Sequence, residues 1–475
     1  MKVIFLLALG MFLFSTVYSS EILTSGVTWY LEGPDSDKKS YAVMDIQWKN
    51  AWNNFKNHDG AWVFLKFSRE GSFARPALLK KEGVKVIHHG NNKLSKFTCE
   101  VSDDQLGFFI YPSSPFRGDV KLKLSVEFDI SRSGNFPSTG TRLEAHAIEM
   151  VYIPAGKHFI GEPDSATANQ FHTFFQADAE GRPAGVFQIL QENQEIPIAP
   201  ASMYYHAAEI QYQGDMKGVL KPEFPKGVAG FYCMKYELNQ GQYADFLNTL
   251  NPGQTTIRAN FGGSLYYKQR GTIFHDGQRY QARSRYRPCN FLSWDDAMAY
   301  ADWAGLRPMT ELEFSKSARG PIQPKPRSFP WGTSDKLPVQ RMVDESGDLI
   351  FQGGLDESQL NDSTLVFFGA SYYWVMDLAG SLWERVITVG DEKGRGYTGR
   401  HGDGQLNYYG NANVPGWPHG NEETGGFGFC GGGFYTHDRA YSDFLPFSPV
   451  SYRRYGAWSG GSRVEAYGSR FVRTD

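Results

Sequence analysis

Residues 288–320 read PCNFLSWDDAMAYADWAGLRPMTELEFSKSARG, and two helices can be drawn from that line alone. Ser293 followed three residues later by Asp296, and Thr310 followed by Glu313, form reciprocal caps. In each, a hydroxyl accepts a helix N–H and a carboxylate returns to the cap residue's own N–H. Gly305 and Gly320 supply the stops, because glycine takes the left-handed turn that ends a helix without steric cost. Trp294, Trp303 and Phe314 then fall where large aromatics fill a core. A third start lies upstream, where Asn239 with Gln242 opens an apolar stripe of Tyr243, Phe246, Leu247 and Leu250 that ends before Gly253.

Between Glu21 and about Ala147 there is no helical signal. Short β-type runs, Val27–Leu31, Val43–Trp48, Trp62–Phe67, Val84–Ile87 and Leu106–Tyr111, alternate with turn clusters. From Val120 to Ile130, Val120, Leu122, Leu124, Val126, Phe128 and Ile130 alternate with Lys121, Lys123, Ser125, Glu127 and Asp129. That period predicts a strand with its even-numbered side chains buried. The pattern predicts an all-β sandwich over 20–140, with a turn-rich close between Ser131 and Thr141. A second, α+β domain is expected over 148–475, and the two lobes should meet between Ser131 and Ala147. From Val389 onward Gly, Tyr, Trp and Asn dominate without periodicity, which predicts long ordered loops held by aromatic packing.

The 475 residues, 41% hydrophobic and 21% charged, suffice for at least one full core and suggest two or three domains. With 52 Gly, 35 Phe, 26 Tyr and 11 Trp, disorder and coiled coil are excluded in favour of rigid loops and aromatic clusters. A net charge of −3 with interspersed signs leaves no footprint for nucleic acid or an anionic membrane surface. Lys2, the apolar run Val3–Phe14 and the small-residue step Val17-Tyr18-Ser19 read as a signal peptide over 1–19. The run is too short to span a bilayer and no later stretch is long enough, so the mature chain is expected to be secreted, periplasmic or at the cell surface. Cys99, Cys233, Cys289 and Cys430 are too widely spaced for a CxxC redox or zinc motif, leaving either disulfides of undetermined pairing or buried free thiols. Asn361-Asp362-Ser363 fits a glycosylation sequon.

From Glu149 on, a series of spaced motifs resembles the formylglycine-generating enzyme, or sulfatase-modifying factor, family. These are EMVYIPAGKHFIG (Glu149–Gly161), FYCMKYELNQGQYADFLN (Phe231–Asn248), Pro288–Gly320, FPWG (Phe329–Gly332), DLAGSLWERV (Asp377–Val386) and GSRFVR (Gly468–Arg473). The resemblance implies an elaborated C-type-lectin-like α+β fold, with 163–212 and 389–428 as insertions between motifs. Glu237, Arg307, Glu311 and Arg319 are read as internal ion pairing that ties loops to helices.

Active members of that family hold copper(I) with two cysteines five positions apart after a Gly-rich turn, and oxidise a substrate cysteine. The matching segment, GGGFYTHDRAY (Gly431–Tyr441), carries Thr436 and Tyr441 at those positions, and neither is a soft donor. Copper is therefore not expected, and His437 with Asp438 does not make an acid–base couple on an extended strand. The resemblance also implies structural calcium at the turn DLAGSLWE, with side-chain oxygens from Asp377 and Glu384 and backbone oxygens from Gly380 and Leu382. Asp377 stands where Asn is common and Ser381 departs from the usual Asn. A second calcium site belongs between Trp331 and Gly369, where no ligand set can be matched.

Three functions follow as expectations. The first is a non-catalytic exported protein, built on a calcium-stabilised domain, that binds a protein or a cell-surface glycan. The second is a copper-dependent formylglycine-generating oxidoreductase acting on protein cysteine. The third is a carbohydrate-binding adhesin in which Trp417, Tyr452, Tyr455 and Trp458, where exposed, stack on sugars; the alternative is that these aromatics are core.

Overall fold

The computed structural model describes residues 22–33, 39–69, 73–88, 90, 96–132, 141–343, 348–420, 425–433, 448–460 and 462–474. The expected leader at 1–19 and the segment holding Thr436, His437, Asp438 and Tyr441 lie outside them.

Two sheets organise the N-terminal third. Strands β1 (Leu23–Glu32), β2 (Lys39–Asn53), β5 (Leu79–His88) and β8 (Phe116–Phe128) form one, in the order β1-β2-β8-β5. The second contains β3 (Asp59–Arg69), β6 (Phe97–Val101), β7 (Gly107–Pro112) and β9 (Thr141–Ile153), with β4 (Arg75–Pro76) paired to the edge of β3. Their facing sides share one core of Met44, Ile46 and Trp48 with Val63, Leu65, Phe67, Phe108, Leu124 and Val126. Val120, Leu122, Leu124, Val126 and Phe128 are all buried, as the alternation requires, while Ile130 lies past the strand end and is half-buried.

The second sheet does not stop at this core. Strand β9 pairs with β3 from Thr141 to Val151, and on its other edge from Met150 to Ile153 with β10 (Phe231–Met234). Beyond β10 come β15 (Phe471–Thr474) and β11 (Arg307–Pro308), so one antiparallel sheet of eight strands runs through both parts of the chain. Its two faces serve two cores. Ala61, Val63, Leu65 and Phe67 face the first sheet, while Trp62 and Phe64 pack with the helical region. A division at 140 or 148 therefore falls against or inside a continuous strand.

The helices are where the caps place them. Helices α1 (Gln240–Leu247), α2 (Trp294–Trp303) and α3 (Glu311–Arg319) start at Asn239, Ser293 and Thr310, each with both halves of its capping box formed. Together they bury Tyr243, Phe246, Trp294, Met298 and Trp303 against Trp62, Phe109 and Met150. Polar ties cross the same boundary: the Trp62 indole donates to Ala304 O at 2.8 Å, and Lys66 Nζ to Gly404 O at 2.7 Å. A smaller three-stranded sheet, β12 (Trp383–Ile387) between β13 (Phe427–Cys430) and β14 (Tyr467–Gly468), is entered through the turn 377–382.

Candidate functional site

The turn 377–382 enters β12 through three residues in the left-handed region, Asp377 (φ 62°), Gly380 (φ 89°) and Ser381 (φ 65°). Asn, which the resemblance leads one to expect at the first and last of these positions, is among the few side chains that tolerate that geometry. The turn is held from three sides. Gly380 N donates to Gly431 O (2.9 Å), Trp383 N to Ala466 O (2.8 Å) and Met376 N to Lys235 O (2.9 Å). Glu237, just past β10, accepts from Ser381 Oγ (2.5 Å) and Leu382 N (3.0 Å).

The two carboxylates expected to bind calcium both lie here, and arginines hold both. Arg470 stands in the Gly468–Arg473 motif immediately before β15 and uses every donor it has. Nε reaches both Glu384 oxygens at 3.0 Å, and Nη2 reaches Oε1 at 2.7 Å and Met376 O at 2.7 Å. Nη1 takes Met234 O (2.7 Å) and Lys235 O (2.9 Å). Glu384 and Arg470 are 0% exposed. Arg341 makes a two-pronged contact with Asp377, Nε to Oδ1 at 2.6 Å and Nη2 to Oδ2 at 2.8 Å. Its guanidinium lies 4.8 Å from the Phe351 ring centre and 5.4 Å from that of Tyr236.

Calcium through Asp377, Gly380, Leu382 and Glu384 does not fit this donor set, and the expectation is corrected on that ground. The ion needs six to eight oxygens at about 2.3–2.6 Å, yet all four carboxylate oxygens already take guanidinium N–H groups. Among the described residues, no group of three or more His, Cys, Asp or Glu side chains is placed to hold a metal ion. Burial, with the nearby carboxylates of Glu384 and Asp377, holds Glu237 well above the usual carboxylate range.

Similar buried pairs occur elsewhere in the domain. Arg307 and Glu313 meet at 2.6 Å, Arg453 and Glu311 at 2.7 Å, and Arg258 and Asp296 at 2.7 Å. Ion pairing thus holds for Arg307 and Glu311. It is corrected for Glu237, which accepts neutral donors, and for Arg319, whose hydrogen bond among the described residues is Nη1 to Gly161 O at 3.3 Å. The proposed sugar platforms are core: Trp417 is 4% exposed and its indole donates to Arg400 O, while Tyr452 and Tyr455 pack on Trp383 with Trp458 half-buried beside them. All four cysteines are free thiols. Cys430, on β13, and Cys233, on β10, belong to one apolar core; burial pushes the Cys233 thiol up to about 12 and Cys430 well above its ordinary value.

One open cleft stands apart from the turn. Residues 407–420 arch over Asp295 and Met298 of α2 and enclose about 410 Å³. Asp295 accepts Gly420 N at 3.0 Å, and the exposed side chains of Asn413 and His419 also line the space. On the same loop Tyr408 and Tyr409 are 75% and 64% exposed. In sequence, only the loop's composition marks this cleft.

An α+β domain of capped helices around a shared sheet, closed by an arginine-locked turn, is the class this geometry defines. The chain belongs to the sulfatase-modifying factor enzyme 1-like domain family, whose model matches residues 183–473. It is 26% identical over 280 residues to the formylglycine-generating enzyme of Mus musculus, covering 51% of this chain and 71% of that protein. It is 24% identical over 189 residues to the formylglycine-generating enzyme of Bos taurus, covering 33% of this chain and 48% of that one. Over 100 residues it is 32% identical to a Bos taurus protein named inactive C-alpha-formylglycine-generating enzyme 2, covering 20% and 31%.

Proposed function

We propose that this is an exported, non-catalytic binding or assembly protein, a β-sandwich followed by a sulfatase-modifying-factor domain of C-type-lectin-like fold. The observation that carries the reading is the placement of thiols. The two family copper positions hold Thr436 and Tyr441, hard protonated oxygens near neutral pH. The nearest cysteine, Cys430, is buried, and the thiolate is the form that binds metal. Similarity to a relative named inactive supports the same reading, and the run at 3–14 supports export. Partners are a protein or a cell-surface glycan. Titrating the purified protein with copper(I) against a chromophoric chelator tests it: the chelator should retain the metal, whereas stoichiometric capture by the protein would favour the copper-dependent oxidoreductase.

A carbohydrate-binding role has one observation in its favour, the cleft over α2. Its volume suits a small ligand, and it offers amides, a carboxylate and an imidazole beside exposed tyrosines, a lining suited to sugar hydroxyls and ring faces. Loss of binding to immobilised glycans in an Asn413→Ala, His419→Ala double variant that folds normally would support it. Undiminished binding would remove the cleft from consideration.

A further inference from the structure

We propose that Arg341 takes the place of the turn's divalent cation, so that the 377–384 segment is fastened by a cation built into the chain and its order does not depend on calcium. Arg341 lies between Trp331 and Gly369, the stretch in which the resemblance implies a second calcium site and no ligand set can be matched. There, Arg341–Val343 pairs with Leu349–Phe351 as a two-stranded ribbon. The ribbon delivers one guanidinium to the first residue of the turn, across 36 positions of sequence.

The fit is that of a structural counter-ion. Both Asp377 oxygens are taken by a fork whose two parallel N–H groups match carboxylate geometry, and the flat cation lies between Tyr236 and Phe351. Arg341 Nη1 is buried without a protein acceptor among the described residues. With Glu237 and Asp377 it lines a cavity of about 20 Å³, room for one water. At the other end of the turn Arg470 reaches both Glu384 oxygens, so every carboxylate oxygen of the expected ligand pair already faces a guanidinium N–H. A divalent ion placed here would meet two resident positive charges in a buried site and would have to expel one of them.

The full chain, stripped of metal, is titrated with terbium(III), whose luminescence is sensitised by a nearby indole; Trp383 adjoins two of the expected ligands. The expected result is no saturable emission that calcium displaces and Asp377→Asn abolishes, together with equal melting temperatures in calcium and in EDTA, since only a ligand of the native state raises stability. Saturable, calcium-displaceable emission lost in Asp377→Asn overturns the proposal, as does a calcium-dependent rise of several degrees in the unsubstituted protein. Arg341→Ala should melt lower in both buffers. Full stability in that variant without added metal also overturns the proposal, because the arginine would then fasten nothing.

Discussion

The two faces of the eight-stranded sheet are buried by different means. On the face toward the first sheet, Ala61, Val63, Leu65 and Phe67 meet Met44, Leu124 and Val126, and the packing is apolar. On the side of the helices and β12, arginines are buried against carboxylates at 2.6–2.8 Å: Arg307, Arg341, Arg453 and Arg470 with Glu313, Asp377, Glu311 and Glu384. The first arrangement follows from strand periodicity and tolerates substitution according to volume. The second orders long irregular loops, three of the four pairs joining segments distant in sequence, and is sensitive to the loss of either partner. The groups that hold the turn are distinct from positions 436 and 441, so the shape of the frame does not rest on the residues at those positions.

The sharpest way to break this contrast is to remove half of a buried pair. Glu384→Ala should cost about 3–5 kcal/mol by leaving Arg470 uncompensated. The double variant with Arg470→Met should recover part of that loss, measured by denaturant midpoints. A loss below about 1 kcal/mol, typical of exposed pairs, would erase the distinction. On the apolar face Leu124→Ala should cost about 2–5 kcal/mol through lost transfer energy and a cavity. Because β9 belongs to both cores, tryptophan fluorescence and far-UV circular dichroism should report that unfolding as one transition.

Acid should act through the boundary. Burial lowers His146 to about 4, with Asp245 raising it and Lys66 lowering it, and lowers His158 to about 3, chiefly by desolvation, with Lys316 adding to the effect. Each depressed group is neutral in the fold and charges near 6.5 once unfolded. The unfolded chain therefore binds the extra protons, and stability falls as pH drops below 6.5 toward those values. Each contributes at most about 1.4 kcal/mol per pH unit. His146→Phe, beside Phe64 and Trp303, should flatten that slope between pH 6.5 and 4; an unchanged slope would mean that His146 is not the source. The smallest effect belongs to the caps: Ser293→Ala should cost about 1 kcal/mol, checked by thermal melting.

What could be read from sequence was local. Alternation at Val120–Phe128 and the capping pairs at Asn239, Ser293 and Thr310 act over two to four residues, so the chain displays them directly. The turn at Asp377–Glu384 was legible as a unit, but its chemistry was not. Arg341 and Arg470 lie 36 and 86 residues from their carboxylates, and only folding tells an arginine that closes a site from one on the surface. Arg470 had a signal, its place in the closing motif; Arg341 had none. The aromatics at Trp417, Tyr452 and Tyr455 left a core and a sugar-stacking reading open for the same reason, since composition does not say which side of a loop faces the core; their burial takes the core reading. The single sheet shared by both cores was hidden because a strand paired on both edges looks like any other strand.

Incubating the full chain with copper, a reductant, dioxygen and a cysteine-containing sulfatase peptide, and reading the peptide by mass spectrometry, tests most directly whether the frame has outlived the chemistry. The expected result is unmodified cysteine at every time point, with the Mus musculus relative turning over under the same conditions. Copper-dependent conversion of that cysteine to formylglycine by this chain, with Thr436 and Tyr441 in place, would contradict it.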